Sequence, residues 1–132
     1  MENRYSLYLV RFSALFALIG AFIGSHMAGS GGYQFKTIHA HILVVGWLSL
    51  FAWSVYYKVF FTRTNFLALL HTLTAIIGAI GLTAGMWMYY LNPFEMTKGV
   101  VTVIFIVGGS IMLLSFLLFS IVVFLPSNKI RK

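Results

Sequence analysis

Thr37-Ile38-His39-Ala40-His41-Ile42-Leu43-Val44-Val45-Gly46-Trp47 opens an apolar run that continues to Phe61 with Lys58 as its one formal charge. A run of this length crosses a hydrocarbon core of ~30 Å as a helix. An imidazole inside such a helix is costly unless it has a partner, so His39 and His41 are candidates for a functional site. Residues two apart on an α-helix point about 200° away from each other. The pair therefore cannot clamp one ion from one face, and the spacing suits a helix serving two neighbouring sites.

Working outward, three more runs of the same kind appear, so the spans are 7–27, 38–61, 66–90 and 100–125. The 132 residues are 61% hydrophobic and 8% charged, with a mean hydropathy of +0.96, a balance foreign to water-soluble domains of this length. The expected fold is all-α: a single transmembrane domain of four helices over 1–132. The first span resembles a cleavable signal peptide in outline, but is expected to be retained. Arg4, Arg11, Lys58, Arg63, Lys129, Arg131 and Lys132 fall on the side of the termini, against Lys36 and Lys98 on the other. The positive-inside rule then puts both termini in the cytoplasm, and a bacterial inner membrane is the expected location. The net charge of +7 becomes a rim facing anionic lipid, with no nucleic-acid partner implied. Arg11, one turn into its span, reads as a snorkelling side chain.

The chain has no cysteine, and its two acidic residues, Glu2 and Glu95, lie outside the spans. Thiolate metal sites, disulfides and covalently attached haem are excluded, and the buried carboxylates that ion-coupled transporters use are missing. Ala28 to Lys36 reads as a glycine-rich outer loop, Asn65 as an N-cap, and Asn92-Pro93 and Pro126 as helix stops. Gly20 with Gly24, and Gly81 with Gly85, are spaced for close helix packing, either inside the bundle or between subunits. Tyr33, Trp87, Tyr89 and Tyr90 at one boundary, and Tyr56 and Tyr57 at the other, read as interfacial anchors.

The histidines separate by depth. His26, His39 and His41 lie near the outer face, whereas His71 lies toward the cytoplasmic side, on the order of 15 Å away along the membrane normal. His71 reads as a neutral ring bonded to a carbonyl or hydroxyl such as Thr72 or Thr74. His26 reads as a polar boundary residue, with axial ligation or a propionate contact as alternatives. For His39 and His41, a copper or zinc site would need three or four convergent ligands, so no copper is expected. Non-covalent haem b needs one or two imidazoles, apolar walls and room for a flat ring. Gly46, two turns after His39, would provide that room, with Val45, Leu48 and Ala52 following His41. Lys36, Gln34 and Tyr33 would meet the propionates.

Thr37 to Trp47, followed by Tyr56-Tyr57, resembles the His-x-His segment of haem-copper oxidase subunit I, closest to the C-family oxidases and nitric oxide reductases. About 21 residues carry the resemblance. It implies that His39 matches the proximal ligand of the high-spin haem and His41 a ligand of the low-spin haem. The family's catalytic subunit has twelve helices in three arcs of four and a histidine cluster for copper, which this chain lacks. The resemblance thus implies one four-helix arc, and a homotrimer that rebuilds the twelve-helix plan. A haem would then sit between His39 of one protomer and His41 of the next. The function expected is a bis-histidine cytochrome that transfers electrons, with a quinol or redox protein as partner. Alternatives are a haem sensor or scavenger for O2 or NO, and a cofactor-free scaffold or assembly factor for respiratory complexes. Whether the chain is an oxidoreductase enzyme is left open.

Overall fold

The computed structural model describes residues 4–60 and 66–124, all helical or in short turns, with no strand among them. Four helices account for the fold: α1 (Arg4–Ser30), α2 (Lys36–Val59), α3 (Phe66–Leu91) and α4 (Lys98–Phe124), each long and apolar enough to cross a membrane. They fit an integral membrane protein. α1 runs three residues past its expected span at each end, α2 and α4 begin two residues early, α3 ends one residue late, and α2 stops at Val59, two residues short. The ends expected at Phe61, Leu125 and Pro126, and the cap expected at Asn65, lie outside the described residues.

The helices alternate in direction. α1 and α2 form one hairpin, and α3 and α4 a second, with α2 and α3 joining the two. The start of α1 and the end of α4 therefore share one end of the bundle. The loop expected over 28–36 is shorter, because Ala28, Gly29 and Ser30 remain helical and Lys36 already begins α2. Gly31, at φ +67°, ends α1 by donating its N–H to the Met27 carbonyl at 3.0 Å, a left-handed stop that glycine adopts without steric cost. Asn92, at φ 40°, ends α3. Its side chain closes the following turn through both the carbonyl and the N–H of Met96, at 2.9 and 3.0 Å. Asparagine tolerates this backbone better than other side chains.

The glycine pairs pack inside the chain. A Cβ at Gly78 would lie 2.7 Å from the Met112 backbone, and one at Gly85 2.8 Å from that of Phe105. Gly81 and Gly108 face each other directly. Gly20 and Gly24 lie under Leu43 and His39 of α2. Small residues thus bring helices together where lipid offers no hydrophobic driving force for doing so.

One feature of α2 departs from the 3.6-residue pattern. Ile42–Ser49 is π-helical, with backbone hydrogen bonds that span one residue more than those of an α-helix, a form often found at functional sites. The Ser49 hydroxyl donates to the Val44 carbonyl, five residues back, at 2.9 Å. Faces extrapolated from His41 to Leu48 and Ala52 therefore do not carry across this stretch.

Candidate functional site

His39 and His41 lie on the α-helical first turns of α2, so their opposed directions hold. Both rings are half-buried. The His41 Nδ1–H donates to the Thr37 carbonyl, one turn back, at 2.9 Å. A carbonyl can only accept, so this bond fixes the proton on Nδ1 and leaves the lone pair on Nε2. Such a hydrogen bond is the support that orients a metal-binding imidazole.

The His39 ring turns toward α1 and lies over Gly24, where a Cβ would come within 2.9 Å of Cε1. Its Nδ1 is buried without a hydrogen-bond partner, a deficit that folded proteins rarely leave uncompensated. Gly46 shares this side of α2, but the space expected beside it is filled: a Cβ there would land on the ring of Phe16. Gly46 is thus a notch for α1, with no room left for a flat cofactor at that point within one chain. Lys36 is exposed at the first position of α2. His26 is exposed near the end of α1 and meets Phe35 edge-on, with centroids 6.4 Å apart.

His71 is fully buried in α3. Its partner is Tyr57 of α2, at 2.8 Å from Nδ1. Thr72 and Thr74, expected as partners, bond instead to the carbonyls of Ala68 and Leu70 on their own helix, as hydroxyls in helices commonly do. Tyr57 is correspondingly no boundary anchor. It is fully buried, because a phenol hydroxyl at this depth requires a partner and His71 supplies one. Trp53 packs against the His71 ring at 4.8 Å and Phe119 at 5.4 Å, joining α2, α3 and α4 in one aromatic cluster. Tyr57 lies two residues before the end of α2 and His71 five residues into α3, so both stand close to the joint between these helices.

The two histidine regions are separate. His71 meets α2 at Trp53 and Tyr57, the latter about four helical turns beyond His41. Among the described residues, no three His, Cys, Asp or Glu side chains converge as metal ligands would. Comparison with protein-family models, with curated proteins and with solved structures finds no match for this chain. The resemblance to haem-copper oxidases therefore rests on the His-x-His segment itself.

Proposed function

We propose that the chain is a membrane cytochrome that holds haem b non-covalently between His39 of one protomer and His41 of the next in a homotrimer, with its termini in the cytoplasm. The observation that carries this reading is the hydrogen bond from His41 Nδ1 to Thr37, which presents Nε2 as a donor nitrogen away from its own backbone. An oriented imidazole with a free lone pair is what axial ligation requires. Haem b, when bound, supplies a reversible one-electron couple.

The residues of the chain then have distinct tasks. Thr37 holds the His41 tautomer. Gly24 leaves the His39 ring its place against α1. Lys36, exposed at the outer end, offers a cation to propionates, and the apolar flanks of α2 exclude water. With two imidazoles, those of His39 and His41, available to hold the iron, the site would favour electron transfer, from a quinol or a redox protein, over gas binding.

A pyridine haemochrome assay on the membrane-reconstituted protein tests this. His41→Ala and His39→Ala are expected to lose most of the bound haem, while His71→Ala retains it. The reduced Soret band is expected to be unchanged by carbon monoxide. Wild-type protein that stays colourless after haem addition, or equal haem content in all three variants, overturns the proposal.

A further inference from the structure

Ser6, Leu7 and Val10 of α1, with Phe51, Ser54, Val55, Lys58 and Val59 of α2, line a groove on the outside of the first hairpin. Its walls are apolar. The polar atoms of Ser6 and Ser54 are spent on each other, with the Ser54 hydroxyl 2.8 Å from the Ser6 carbonyl and 3.1 Å from its hydroxyl. Nothing in the floor is therefore left to attract a polar ligand. Charge is confined to the margin. Lys58 lines the end of the groove that lies at the N-terminus of α1, and among the described residues its ammonium has no carboxylate beside it, because Glu95 belongs to the turn after α3, at the opposite end of the bundle. Arg4 and Arg11 are exposed and lie on the helical stripe of Leu7, one turn to either side, by the three- and four-residue spacing.

An apolar channel running along the helices, with Lys58 at its mouth as the cation of its lining, has the polarity of a phospholipid: acyl chain within, phosphate at the rim. Basic pockets between transmembrane helices bind anionic head groups in this way. We infer that this groove is a binding site for one anionic phospholipid, its phosphate held by Lys58 with Arg4 beside it and an acyl chain lying against Val10, Phe51 and Val55. The site is independent of haem, and no residue of the His39 and His41 region takes part.

Native mass spectrometry of the detergent-solubilised full chain, titrated with dioleoyl phosphatidylglycerol or dioleoyl phosphatidylcholine, tests the assignment. One phosphatidylglycerol is expected to bind at concentrations where phosphatidylcholine does not. Lys58→Gln weakens binding about fivefold, the loss expected for one basic residue at an anionic surface. Val55→Trp, at an exposed position that tolerates bulk, abolishes binding by filling the channel. Lys98→Gln, at the other end of the bundle, leaves it unchanged. Equal binding of the two lipids, wild-type affinity in both groove variants, or an equal loss in Lys98→Gln overturns the inference. So does a ubiquinone analogue that Val55→Trp expels while phosphatidylglycerol stays bound.

Discussion

Along the seam between α3 and α4, glycines face backbone; along the seam between α1 and α2, they face side chains. Gly78, Gly81, Gly85 and Gly108 sit against the main chain of Met112, Gly108, Phe105 and Gly81. Gly20, Gly24 and Gly46 sit against Leu43, His39 and Phe16. A main-chain contact has no rotamer through which to relax, whereas a side chain can hop to another staggered well. The second hairpin is therefore a rigid strut. The first is adjustable, carries the π-helical stretch of α2, and holds both His39 and His41.

The largest effect tests the rigid seam. In Gly108→Ala the new methyl falls on the backbone of Gly81 and Leu82, and overpacking of this kind costs ~3 kcal/mol. In Gly109→Ala the methyl meets only the tip of Leu82, at 3.6 Å, and stability stays within ~0.5 kcal/mol. Thermal unfolding in detergent measures both. Equal melting temperatures for the two variants would remove the distinction between the seams.

Much of this was readable from the residues alone, and the misses have physical causes. Hydropathy marks the four helices because lipid demands long apolar runs, and Gly31 and Asn92 stop two of them as turn chemistry dictates. Tyr57 misled for a different reason: it is amphipathic, and a one-dimensional reading sees its polar tip near a boundary without His71, the partner that draws it inward. For His71 a hydroxyl partner was expected and found, but it comes from Tyr57 of α2 and not from a threonine. The widened turns of Ile42–Ser49 leave no mark on composition either; they coincide with the packing of Gly46 against Phe16 and with the bond from Ser49 to Val44. Beyond the His41 bond, the local geometry of the histidine pair was set by neighbours on α1 that spacing within α2 cannot report.

The joint between the hairpins gives the next effect. Tyr57→Phe removes the hydroxyl bonded to His71 and strands a buried ring nitrogen, at a cost of ~1–2 kcal/mol. Unfolding by a denaturing detergent follows the loss, and haem content is expected to stay at the wild-type level, since this cluster lies apart from His39 and His41. A matching loss of haem would tie the two regions together. Ser54→Ala is milder. It deletes the bonds to Ser6, and polar contacts between transmembrane helices average ~0.6 kcal/mol. An unfolding cost as large as that of Tyr57→Phe would show the α1–α2 seam to be less adjustable than its side-chain contacts imply.

The smallest change in stability carries the sharpest test of the adjustable seam. Gly24→Ala brings a methyl to 2.9 Å from His39 Cε1, so the imidazole must give way, but a half-buried ring can turn about χ1 and χ2. Gly20→Ala presses on the Leu43 side chain in the same manner, and the two variants are expected to lose similar amounts, each below ~1 kcal/mol. Their haem content separates them. Only Gly24→Ala displaces a proposed ligand, so its haemochrome yield falls while that of Gly20→Ala does not. Equal yields would mean that the His39 position over Gly24 serves packing alone, and that any iron is held from the His41 side of α2.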